Sequence, residues 1–156
     1  LNPSSAASDV YKRQTEGRLM SLQAVRAVIE QRIQSAYAVD RIPVIFQNSF
    51  ETPPPLPYVV CLIDYVDVAQ PLVCQVEPLI EDLRGNIQIS CYAKRGQGMG
   101  QLELMAETAQ KAMNQLYQWG DAVTVKCGAV SGPVSALEGS DPYVLVTLSA
   151  PFVASA

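Results

Sequence analysis

Arg84-Gly85-Asn86-Ile87-Gln88-Ile89-Ser90-Cys91-Tyr92-Ala93, followed by Lys94-Arg95-Gly96-Gln97-Gly98-Met99-Gly100 and then Gln101 to Gln118, is the stretch that decides the fold. Ile87, Ile89 and Cys91 alternate with Gln88, Ser90 and Tyr92, the period of a strand with one buried face. Leu102, Met105, Ala109, Met113 and Leu116 recur at spacings of three and four, the period of a helix with one apolar stripe. A strand, a basic glycine-rich turn and a long amphipathic helix follow one another with no catalytic motif among them.

Working towards the N-terminus, Tyr58 to Val66 is almost continuously apolar and reads as a central strand. Glu51-Thr52-Pro53-Pro54-Pro55-Leu56-Pro57 precedes it. Its prolines can join neither ladder nor helix, so the segment is a stiff extended connector; a proline-rich peptide ligand is the other reading. Ile42 to Gln47 is a short strand with Pro43 near its start or on an edge. Ser21 is the expected N-cap of a first helix that runs to about Tyr37. Leu22, Val25, Ile29, Ile33 and Ala36 form its stripe, and Gln23, Arg26, Glu30 and Gln34 face water. Residues 1–19 show no period and read as a non-native or disordered extension; Met20 is the expected start of the native protein, and 20–156 a single domain.

Towards the C-terminus, residues 67–83 carry a strand-like stretch around Leu72 to Val76 and then an irregular segment. Gly120 suits the end of the second helix. Val123 to Cys127 is a strand, Gly128 to Ser140 a long excursion, and Tyr143 to Val153 the closing strand. Helices grouped outside the strands predict an α+β two-layer sandwich, a mostly antiparallel sheet packed by two main helices.

The chemistry is narrow. The chain has 156 residues, a net charge of −4, four cysteines and no histidine. Without histidine, Ser-His-Asp and Cys-His catalysis and any His-containing metal site are excluded. Cys61, Cys74, Cys91 and Cys127 match no zinc or redox spacing and read as small buried hydrophobes, with a disulfide pair as the alternative. Asp64 with Asp67, and Glu77, Glu81 and Asp82 before Arg84, are carboxylate clusters that read as solvated loop charges, or as ligands for a hard cation. The turn Gly96-Gln97-Gly98-Met99-Gly100 lacks a nucleotide-binding signature. It reads as a flexible connection, as a loop that seats on a protein partner, or as an anion cradle. Phe46, Phe50, Tyr58, Tyr117 and Trp119 stand near element ends, as rim packing or as interface anchors. No apolar run reaches the roughly 20 residues of a membrane helix, and the acidic balance offers nucleic acid no general attraction. No catalytic residue and no cofactor is expected.

"IPVIFQN", then "F-x-x-P-P" leading to "P-Y-V", Arg84-Gly85 before "IQISCYA", the loop "KRGQGMG", the alanine-containing helix and "DPYVLVTLSAPFVA" together resemble the small tail-terminator (tail completion) proteins of long-tailed bacteriophages. The likeness covers about residues 20–156. It implies a virion structural protein, not an enzyme, acting at the tail–head junction after assembly in the host cytoplasm. Copies of the chain, six in the usual case, would close into a ring on the tail tube, stop its polymerisation and join it to the head connector. DNA would pass through the lumen without specific binding. Arg84, Lys94, Arg95, Gly96, Gly98, Pro53, Pro54 and Pro55 are the positions expected at the oligomer or tail-tube contacts. Two other readings stand beside it: a head-closure, neck or minor tail protein, and a small cytoplasmic α+β ligand-binding module or enzyme.

Overall fold

A computed structural model describes residues 21–49, 52–69, 82–114, 123–135 and 141–155. The expectations placed on residues 1–19, Phe50, residues 72–76, Cys74, Glu77, Glu81, Leu116, Tyr117, Trp119 and Gly120 lie outside these residues. In chain order the elements are α1 (Leu22–Ala38), β1 (Val44–Phe46), β2 (Tyr58–Ala69), β3 (Asp82–Lys94), α2 (Gly100–Asn114), β4 (Thr124–Cys127), β5 (Ser131–Ser135) and β6 (Tyr143–Ser155). They build an α+β fold in which both helices pack on one face of a six-stranded sheet.

The sheet order is β1-β2-β3-β6-β4, with β5 also paired to β6. Every pairing is antiparallel except β1 with β2. Strand alternation decides what enters the core. Val59, Cys61 and Ile63 of β2, Ile87, Ile89 and Cys91 of β3, and Val146, Leu148, Ala150 and Phe152 of β6 are buried. Val25, Ile29, Ile33 and Tyr37 of α1 and Leu102, Met105, Ala109 and Met113 of α2 close over them. Each such aliphatic side chain contributes roughly 1.5–3 kcal/mol against its exposed state, as an upper estimate.

The stripe of α1 differs from the sequence reading by one step. Leu22 is 55% exposed, whereas Tyr37, at the other end, is fully buried. Stepping by four from Val25 reaches Tyr37, and the ring is accepted because its hydroxyl donates to the Met105 carbonyl at 2.7 Å. A buried phenol without such an acceptor would be costly. Ser21 stands at the N-cap position, but its side chain makes no capping bond; its backbone oxygen accepts from Val25 N at 3.1 Å.

Two strands, β2 and β5, differ from expectation. β2 continues past Val66 to Ala69, through an irregularity between Tyr65 and Asp67 where one extra residue is absorbed. β2 is interior to the sheet, but among the described residues no element packs on its outer face, and Asp64 there is exposed. The excursion after Gly128 contains β5, which its Ser-Gly-Pro-Val-Ser sequence conceals. Gly132 has φ of 104°, and a Cβ there would fall 2.6 Å from the Thr147 carbonyl oxygen, so only glycine lets this segment lie against β6.

Pro151 explains why β6 carries two short neighbours on one side. Its carbonyl accepts from Gly128 N at 2.7 Å. In a strand, the N and O of one residue point the same way, so the donor that proline lacks would also point there. That position is the break between β4 and β5, where no ladder bond is lost.

Candidate functional site

Strand register sorts the sequence-derived candidates into two groups. Tyr58 pairs with Tyr92, and Lys94 with Tyr143, so the starts of β2 and β6 and the end of β3 share one end of the sheet. Lys94, Arg95, Gly96 and Gly98 lie there, all exposed, and the proline arm carrying Pro53, Pro54 and Pro55 enters β2 at the same end. Arg84 lies ten residues earlier on β3, opposite Val153. At about 3.3 Å per residue that places it roughly 33 Å away, at the other end. The structure therefore gathers seven of the eight candidates and separates Arg84 from them.

At the first end, the strand-to-helix turn owes its glycines to backbone geometry. Gly96 and Gly98 have φ of 88° and 76°, and a Cβ at either would meet nothing within 4 Å. Left-handed backbone is what selects glycine there, while the space around both positions stays open. Arg95 N donates to the Pro142 carbonyl at 3.0 Å, which ties the turn to the start of β6. Glu103 N donates to the Met99 carbonyl at 2.9 Å and opens α2.

Beside the turn is an open cleft of about 700 Å³. Asp40 to Pro43 form one wall, Pro55 and Pro57 a second, and Leu104, Met105, Glu107 and Lys111 of α2 a third. Arg41 sits at φ 54°. Arg41 N donates to the Ala38 carbonyl and Ile42 N to the Tyr37 carbonyl, each at 3.2 Å, the pair of bonds that closes a helix through a left-handed residue. An arginine occupies the place where glycine is usual, and its exposed side chain stands at the cleft. Sequence reading did not single out this cleft. Asp40 and Arg41 fall at a helix end where no pattern marks them, and Leu104, 66% exposed, interrupts the polar side of α2.

Three tyrosines mark the same end on the helix-free face. Tyr58 and Tyr92 stack with centroids 4.9 Å apart, and Tyr143 meets Tyr92 edge-on at 5.2 Å. Burial raises the pKa of Tyr58 and Tyr92 above the usual phenol range, and their aromatic neighbours add to it.

The opposite end is organised by Arg26, which the sequence placed in water. Its Nη1 donates to Gln47 Oε1 at 2.9 Å and contacts Glu30 Oε1 at 3.3 Å, and its Nη2 reaches the Ile63 carbonyl at 3.5 Å. Gln47 Oε1 also accepts from Ile63 N at 3.4 Å. β1 ends at Phe46, opposite Cys61. Gln47 and Arg26 thus take up the β2 edge groups that the missing fourth residue of β1 would have paired. No spacing rule links positions 26, 47 and 63.

Cys61 and Cys91 are buried and Cys127 is half-buried. Cys61, Cys91 and Cys127 are free. Burial pushes the thiol of Cys61 up to about 12 and those of Cys91 and Cys127 up to about 11. Among the described residues no three His, Cys, Asp or Glu side chains converge as metal ligands. Asp82 lies opposite Ala69, and Asp67 opposite Arg84, across the β2–β3 ladder.

No protein-family description matches this chain, and no curated protein does. Solved structures do match. One of them, whose name states neither an activity nor a partner, aligns over 87% of this chain and 96% of its own with a TM-score of 0.66 and 22% identity. At that identity the likeness shows a shared fold and nothing finer.

Proposed function

We propose that this protein is a phage tail terminator: copies of it, six in number, close into a ring that caps the tail tube and joins it to the head connector. The observation that carries the reading is the placement of exposed apolar side chains. Val39, Met99 and Leu104 are exposed at the end with Lys94 and the proline arm; Leu22, Val66 and Val153 are exposed at the end with Arg84. Two unlike apolar sets some 30 Å apart suit a component that meets a different partner on each side. Unlike patches also support head-to-tail contacts between copies, which generate a closed ring when the rotation allows. DNA crosses the lumen without a dedicated site, in keeping with the net charge of −4.

The cleft supports a second reading, a small ligand-binding module, because it combines apolar walls with Asp40, Arg41, Glu107 and Lys111. Acidic and basic groups alternate around it, so it selects no ion by charge, and its breadth suits a chain segment of a neighbour better than a small molecule.

Lys94→Glu combined with Arg95→Glu tests the first reading. Both side chains are exposed, so the melting temperature is expected to hold while ring formation or tail joining falls. Light scattering on mixtures with purified tail tubes, together with in vitro joining to heads, reads the outcome. Assembly and joining at the wild-type level would remove these residues from the interface.

A further inference from the structure

Arg84 stands apart from the other contact candidates within one copy, and a contact between copies is what reunites them. Its neighbours form a patch of mixed chemistry. Val66 is the extra residue of the β2 irregularity; it has no cross-strand partner and is 75% exposed. Bulges of this kind re-aim a side chain. Arg84 is exposed opposite Asp67, and Val153, 38% exposed, lies across from it on β6. Asp64 is exposed and pairs with Asn86, so Arg84 is its diagonal neighbour on the same face, at about 7–8 Å. Asp82 and Lys126 stand around this patch.

The cleft at the other end has matching parts. Leu104, Glu107 and Lys111 follow at steps of three and four, so one exposed stripe of α2 forms a wall. Leu104 is 66% exposed and shares the cleft with Ile42, Pro43 and Pro57. Glu107 and Lys111 place opposite charges on adjacent turns, about 5–6 Å apart at Cβ.

We propose that the Val66–Arg84 patch of each copy seats in the cleft of the next copy, with Val66 against Leu104, Arg84 beside Glu107 and Asp64 beside Lys111. This contact rests on the ring reading and gives the ring its subunit interface. A side chain that fits a pocket elsewhere on the same molecule makes a head-to-tail contact, which closes into a ring when the rotation allows. Val66 lies nine residues along β2 from Pro57 at the cleft, roughly 30 Å, so a copy does not fill its own cleft. Charge sets the orientation. Each surface carries one acid and one base at similar separations, so both ion pairs form together; the reversed seating sets Arg84 against Lys111 and Asp64 against Glu107.

The test is the mass of the full chain by light scattering, alone and with purified tail tubes. The samples are the wild type, Arg84→Glu, Glu107→Lys, and an equal mixture of these two variants. Both substituted side chains are exposed, so melting temperatures are expected to hold. The expected result is a wild-type ring, about tenfold weaker assembly in each single variant, and recovery in the mixture. Recovery follows because copies alternating around a ring of six restore an opposite-charge pair at every contact. Val66→Ser is expected to weaken assembly several-fold in the same way. Should Arg84→Glu fail to fold, Glu107→Lys and Val66→Ser carry the comparison. A ring indifferent to these substitutions, or a mixture as weak as its components, overturns this contact and leaves the ring reading in place. A wild type that forms no ring even on tubes overturns both.

Discussion

Gly85 shows how much one missing side chain decides. It faces the core from β3, and a Cβ there would fall against the Asp64 carbonyl oxygen and 2.5–2.6 Å from ring carbons of Phe152. The Phe152 ring, itself edge-on to Tyr65 at 6.2 Å, fills the space the glycine leaves. Gly85→Ala is therefore expected to destabilise the fold by about 1–3 kcal/mol through overpacking, measured by urea unfolding; a loss below about 0.5 kcal/mol would show that the ring moves aside freely. The buried thiols make a second prediction. A group whose folded pKa is raised contributes stability that is complete below its unfolded pKa and is lost as pH climbs towards the folded one. Cys61 at about 12 and Cys91 at about 11 thus weaken the fold as pH rises from about 9 to 11, and the buried Tyr37 phenol, its pKa raised chiefly by burial, acts in the same direction. Thermal melts followed by circular dichroism should show the melting temperature falling across that window; an unchanged value would mean that the thiols are hydrated.

Among the elements, those with a strong period were readable and those defined by their neighbours were not. β3 and α2 follow the alternation and the three-four spacing of their apolar residues closely, because each buries a single face against a continuous partner. β5 was hidden because Gly132 and Pro133 carry the signature of a turn, and what makes the segment a strand is the room left beside Thr147. The site was legible in the same uneven way. Glycine and proline signals located the turn and the arm, but that they share one end while Arg84 occupies the other follows from strand register, which one sequence does not reveal. The edge clamp of Arg26 and Gln47 depends on β1 stopping after three residues. Gln47→Ala is expected to cost about 1 kcal/mol and to speed exchange of the Ile63 amide in hydrogen-exchange experiments, leaving Ile89 protected. An unaltered Ile63 rate would show that the amide is closed off by something other than the Gln47 side chain.

At the scale of the molecule, one layer of helices on one face of a sheet produces, among the described residues, three kinds of surface: a polar helical side, two ends rich in turns, and a sheet face on which no described helix packs. The ends hold the candidates for partners that differ. The two lateral borders of the sheet are different again. On one side the last strand is three residues long; on the other, Pro151 divides the neighbours of β6 into segments of four and five. Among the described residues the outermost strands are short, so β1, β4 and β5 offer a stray extended peptide only three to five residues each on which to grow.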